Sequence, residues 1–172
     1  ENGTQGWYLS DYDLEHQSNR LYPDEIDPSL LAVLKQRAET LTRRFGLKSI
    51  SFEQLSLWLK ETDRTTYLCD VRTNKEYEAS QFPPYIQHTP GGQLIQATDE
   101  YIGVRKARIV LPDFDHIRAP VIASWLKQLG WEVYLLADTA KLATLALPTN
   151  EPPALAHAQT LSPGEALSFI KQ

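Results

Sequence analysis

Six consecutive residues, Asp113-Phe114-Asp115-His116-Ile117-Arg118, hold the densest chemistry in this chain of 172 residues. Two carboxylates, an imidazole and a guanidinium follow an apolar run, Ile109-Val110-Leu111, and precede an amphipathic stretch from Pro120 to Leu129. Gly130 and a second apolar run, Val133 to Leu136, come next. Strand, loop, helix, strand is the βαβ unit of a parallel sheet. Its loop lies at the carboxyl end of the first strand, where such sheets place ligands. Paired aspartates there could attack a phosphate or hold a divalent metal. An aspartate near an arginine can equally be a structural ion pair. A second cluster, Cys69-Asp70-Val71-Arg72 with Glu76, closes the apolar strand Thr66 to Asp70. Cys69 is the single thiol, and its strand position predicts a buried, inert side chain rather than a nucleophile. Asp70 is expected to anchor loops by hydrogen bonds, and Arg72 to pair with Glu76 one helical turn on.

These residues need a scaffold, and the pattern predicts one. Asp27-Pro28 reads as an N-cap and a first-turn proline. Leu30, Leu34, Leu41 and Phe45 recur at helical spacing up to Gly46, giving a helix over about 28–45. Ser51-Phe-Glu-Gln54 is a capping-box pattern opening a short helix with Leu55, Trp58 and Leu59. A polar helical turn follows around Asn74 to Ala79, then a long loop through Pro83, Pro84, Pro90, Gly91 and Gly92. Gln93 to Ile102 reads as a helix, as does Asp138 to Leu147. The first 27 residues show no sustained period and read as irregular or packed onto a neighbour. The fold expected is a three-layer α/β/α domain, a mostly parallel sheet of about five strands with helices on both faces.

Composition excludes several classes. With 42% hydrophobic and 23% charged residues the chain is globular in character. A net charge of -5 argues against a nucleic-acid partner. No apolar run approaches the roughly 20 residues needed to cross a bilayer. The four histidines are scattered without ligand spacing, so no metal and no cofactor are expected. One cysteine excludes an internal disulfide and fits a reducing, cytoplasmic setting. The absence of methionine suggests a piece of a longer protein.

The two clusters together resemble the rhodanese (sulfurtransferase) family over about residues 47–147. Cys69-Asp70-Val71-Arg72 with Glu76-Tyr77 is similar to the family's strand-end Asp-Val-Arg and Glu-Tyr. The family continues with Gly-His-Ile-Pro-Gly-Ala; Ser80-Gln81-Phe82-Pro83-Pro84 keeps only an apolar residue and one proline. The loop from Asp113 to Arg118, with Ala119 and the helix to Gly130-Trp131, is similar to the active-site loop Cys-x-x-Gly-x-Arg. Arg118 is retained. Asp113 stands where the resemblance puts the nucleophilic cysteine, and His116 where it puts the glycine. In active members, the resemblance implies, backbone N–H groups cradle a thiolate and a sulfur anion. No catalytic residue is therefore expected here, and Arg118 is expected to pair with Asp113 or Asp115. Asp113-Phe114-Asp115 also resembles the Asp-x-Asp motif of haloacid-dehalogenase-like phosphatases, so a metal-dependent hydrolase remains an alternative. A third reading is a protein-binding module using an aromatic flank of Trp7, Tyr8, Tyr12 and Tyr22.

Residues 50–60 (ISFEQLSLWLK) and 161–171 (LSPGEALSFIK) align without gaps. Self-similarity of this kind marks repeated units. The expected organisation is a preceding-domain tail or linker over 1–27 and a rhodanese-like domain over 28–147. A linker at 148–160, with Pro152-Pro153, and the start of a similar domain at 161–172 complete it. Neighbouring rhodanese domains of the parent chain are the expected partners, with homodimerisation a further expectation. The function expected is that of a non-catalytic domain in a tandem sulfurtransferase.

Overall fold

A computed structural model of the chain describes residues 3–16, 27–80, 82–83, 85–145 and 162–170. Five strands form one sheet in the order β1-β5-β4-β2-β3, with every pairing parallel. They are β1 (Lys48–Ile50), β2 (Thr66–Asp70), β3 (Ile86–His88), β4 (Arg108–Pro112) and β5 (Glu132–Leu136). The period of two along each strand divides the core. Tyr67, Cys69, Ile109, Leu111, Val133 and Leu135 face one cluster, covered by α2 (Pro28–Phe45), α5 (Gly91–Gln96), α6 (Thr98–Tyr101) and α7 (Arg118–Gln128). Leu68, Val110, Tyr134 and Leu136 face the other, covered by α3 (Phe52–Trp58), Phe82, Phe114 and the 3-10 turn Leu142–Thr144. This is the three-layer α/β/α arrangement expected.

Local chemistry sets the helix limits. The Asp27 carboxylate accepts the Ser29 N–H at 2.8 Å at the start of α2. Gly46 ends that helix in the left-handed region at φ 56°, where glycine carries no Cβ penalty. Ser51 Oγ accepts the Gln54 N–H at 3.1 Å to open α3. Thr73 and Glu76 form a reciprocal capping box on α4 (Asn74–Glu78).

Several expectations need correction. The N-terminal stretch is not wholly irregular, because Gly3–Leu9 forms helix α1. Gln93 to Ile102 is two helices, broken at Ala97 (φ −133°, ψ 56°), where buried Thr98 turns its hydroxyl back to Leu94 O at 2.7 Å. Asp138 to Leu147 does not form a helix among the described residues. Leu142 and Leu145 anchor a single 3-10 turn in the core instead. Strands β1 and β3 have three residues each, too few to show a period in the sequence. Tyr22, the 148–160 linker and Leu161 lie outside the described residues. Among the described residues no helix is long and apolar enough to cross a membrane.

Candidate functional site

The C-terminal ends of β2 and β4 bring both chemical clusters together. Asp70, at the end of β2, is fully buried. Its Oδ1 accepts the Arg72 N–H at 3.0 Å, and Arg72 Nη2 donates to Oδ2 at 2.7 Å. The same Nη2 reaches Ser80 Oγ at 2.7 Å. The Arg72 guanidinium lies 3.7 Å from the Phe114 ring centroid and 5.5 Å from that of Phe82. Arg72 thus pairs with Asp70, not with Glu76 as expected, and its planar cation is sandwiched against the loop after β4.

Glu76 is taken by the other arginine. Arg118 Nη1 and Nη2 donate to Glu76 Oε2 and Oε1, each at 2.7 Å, a bidentate pair across 42 positions of sequence. Arg118 Nε donates to Asp115 Oδ2. The Arg118 guanidinium holds the Glu76 carboxyl well below its ordinary range. Burial pushes the Asp115 carboxyl up, but hydrogen bonds from Arg118 and Ile117 outweigh it and hold the group low. Asp115 Oδ1 accepts the N–H groups of Ile117 and Arg118, both at 2.9 Å. Those donors sit at the opening of α7, where a helix presents partial positive charge. A carboxylate of the chain itself fills that position.

Asp113 is placed differently. The alternation of β4 carries it past Leu111 to the α2 side, while Phe114 turns to the opposite core. Its side chain is buried, its Oδ2 lies 3.2 Å from His116 Nδ1, and its Oδ1 has no hydrogen-bond partner. Burial raises the Asp113 carboxyl above its ordinary value, against the attraction of His116. His116 takes a left-handed backbone at φ 59°. The loop therefore keeps a conformation that glycine adopts freely although a Cβ is present. Cys69 is fully buried in β2, and burial pushes its thiol up to about 12. No thiolate forms there near neutral pH.

The structure offers a second position for one of the family's stretches. The strand-to-helix passage His88-Thr89-Pro90-Gly91-Gly92 links β3 to α5, and it fits His-Ile-Pro-Gly-Ala better than residues 80–84. Of the latter, Gln81 and Pro84 lie outside the described residues. His88 Nε2 meets Arg72 O at 3.0 Å, and its ring stacks on Tyr77 at 4.6 Å. A Cβ on Gly91 would stand 2.6 Å from Ile122 Cδ1, so the close packing of α5 on α7 favours glycine.

The remaining candidates separate. Among the described residues no group of three or more His, Cys, Asp or Glu side chains is placed to hold a metal ion. Trp7, Tyr8 and Tyr12 are exposed rather than packed on the core, with Trp7 and Tyr12 in ring contact at 4.5 Å.

No protein-family model matches the chain, and no curated protein matches it. A crystal structure of a thiosulfate sulfurtransferase from Pseudomonas aeruginosa is similar to it, with 38% sequence identity and a TM-score of 0.75. The match covers 100% of this chain and 33% of that one. The chain thus has a rhodanese-like α/β fold and spans about a third of the length of the protein it resembles.

Proposed function

We propose that this chain is a non-catalytic rhodanese-like module of a longer, tandem sulfurtransferase. In the parent, the thiolate of a sister domain attacks the outer sulfur of a donor such as thiosulfate. Sulfite leaves, and the resulting persulfide passes its sulfur to an acceptor. This module packs against, positions or regulates that domain. A reducing compartment such as the cytoplasm suits a chain with one buried thiol.

The observation that carries the reading is the filling of the loop by its own carboxylates. Asp113 occupies the nucleophile's position and has no sulfur with which to form a persulfide. Asp115 already accepts the N–H groups of Ile117 and Arg118, and Arg118 is held by Glu76 and Asp115. An incoming anion would meet negative charge where an active loop offers positive charge. Cys69 offers no substitute, being buried with its thiol protonated. The relative's length, about three times the matched segment, is compatible with several such units in one chain.

The test is sulfur transfer from thiosulfate to cyanide by the chain, by Asp113→Cys, and by Asp113→Cys with Asp115→Ala. The natural chain should be silent. The double variant should exceed the single one, because two helix N–H groups are released to the sulfur anion. Turnover by the natural chain would overturn the proposal.

A further inference from the structure

Five consecutive apolar residues, Leu30 to Leu34, fall in the first two turns of α2. Neighbours on a helix are about 100° apart, so these five point in every direction round its axis. A helix that is apolar all round belongs in a fully covered position. This domain covers one side only. Leu31 and Leu34 are half-buried, but Leu30 is 50% and Val33 is 43% exposed. The charges from Pro28 to Arg37 are both cationic, Lys35 and Arg37.

A second surface is uncovered in a complementary way. After α1, Asp11 takes a left-handed backbone at φ 58° and reverses the chain. Tyr12 returns onto Trp7, and Trp7 Nε1 donates to Asp13 O at 3.0 Å. The result is an ordered aromatic knob. Trp7, Tyr8 and Tyr12 are each more than half exposed, and α1 has no buried residue. All charges from Gly3 to Glu15 are anionic: Asp11, Asp13 and Glu15. So short a helix draws its stability from packing, and Trp and Tyr are the side chains that most often anchor an interface.

We propose that the chain forms a two-fold dimer in which the aromatic knob of each copy packs on the opening of α2 in the other. Trp7, Tyr8 and Tyr12 cover Leu30 and Val33, while Asp11, Asp13 and Glu15 face Lys35 and Arg37. Charge complementarity selects this pairing, because two knobs, or two α2 openings, would set like charges against each other. Two-fold symmetry repeats the same contact twice. Its size also suits. An aromatic side chain can bury about 150–250 Å². Half of that from six rings, with an equal area on what they cover, is on the order of 1,200 Å², enough for a specific interface. Both surfaces lie outside the loop from Asp113 to Arg118, so turnover by the natural chain would sink the sulfur-transfer reading and leave this inference standing.

The experiment is sedimentation equilibrium of the full chain from low to high micromolar concentration. A monomer and a dimer should exchange, and added salt should weaken the dimer by screening its charged rim. Trp7→Ala and Val33→Glu alter exposed positions and leave the core intact, which circular dichroism checks. Each should weaken dimerisation at least about tenfold, since both copies of the contact are damaged. Mixing the two variants tests the exchange itself. A Trp7→Ala copy keeps its α2 opening and a Val33→Glu copy keeps its knob, so one contact of the mixed dimer is intact. The mixture should associate more tightly than either variant alone. A chain that stays monomeric at every concentration would overturn the inference, whether its knob meets its own α2 or a neighbouring domain of a longer parent. So would a dimer indifferent to both substitutions, or a mixture no tighter than its components.

Discussion

Asp113 and Asp115 are two residues apart and titrate in opposite directions, because one faces a low-dielectric core and the other a helix terminus. Burial raises Asp113, and His116 only partly offsets it. A carboxyl whose folded value exceeds its unfolded value binds its proton more tightly in the folded state. Ionising it therefore subtracts stability as pH rises through the window between the two values. Below the unfolded value both states are protonated and the penalty vanishes. Asp113→Asn should thus gain stability relative to the natural chain at neutral pH, and this gain should shrink near pH 3, below the ordinary aspartate value of about 3.9. Urea unfolding at the two pH values measures it. A relative gain that is equal or larger in acid would contradict the assignment of burial as the dominant cause.

The two arginines act between elements. Arg72 links the end of β2 to Phe114 in the next loop, and Arg118 links the start of α7 to α4 through Glu76. The Glu76 and Asp115 carboxyls sit low, so their contribution has the opposite sign to that of Asp113. It is present above the unfolded values and is lost as pH falls through the depressed ones. Glu76→Gln should remove part of this acid sensitivity and cost about 1 kcal/mol at neutral pH, a half-exposed ion pair plus a helix cap. A variant with unchanged acid sensitivity in guanidinium melts would show the bridge to be inert. These partnerships explain what was legible in the sequence. The β4-loop-α7-β5 unit could be read because apolar periods of two and of 3.6 bracket it, with Gly130 as punctuation. Spacing pairs Arg72 with Glu76 because it reveals only partners one turn away, whereas the guanidinium folds back onto Asp70. Glu76's true partner lies 42 positions off and meets it only once the sheet has formed. The left-handed backbone at His116 follows from the glycine that the resemblance puts there; histidine enters that region more readily than most side chains but does not by itself predict it.

At the scale of the molecule, the alignment of 50–60 with 161–171 can be set against burial. In α3, Leu55 is fully buried and Trp58 meets Tyr134 edge-on at 4.7 Å. In α8 (Pro163–Ile170), by contrast, Leu167 is 55% and Ile170 is 84% exposed. Leu59, which aligns with Ile170, packs against the core that holds Leu55 and Leu142. An amphipathic helix without a core of its own gains little from this domain, and short helices draw most of their stability from packing. If α8 opens a following unit, removing Pro163–Gln172 should change the unfolding free energy by less than about 1 kcal/mol. Leu142→Ala, which empties a fully buried position, should cost about 2–5 kcal/mol in the same assay. Extending the chain by one domain length of its parent should then slow hydrogen exchange across 163–170, because a neighbouring sheet would cover Leu167 and Ile170. A deletion as damaging as Leu142→Ala would assign α8 to this domain. The tandem organisation would then lose its C-terminal support, leaving only the length of the solved relative in its favour.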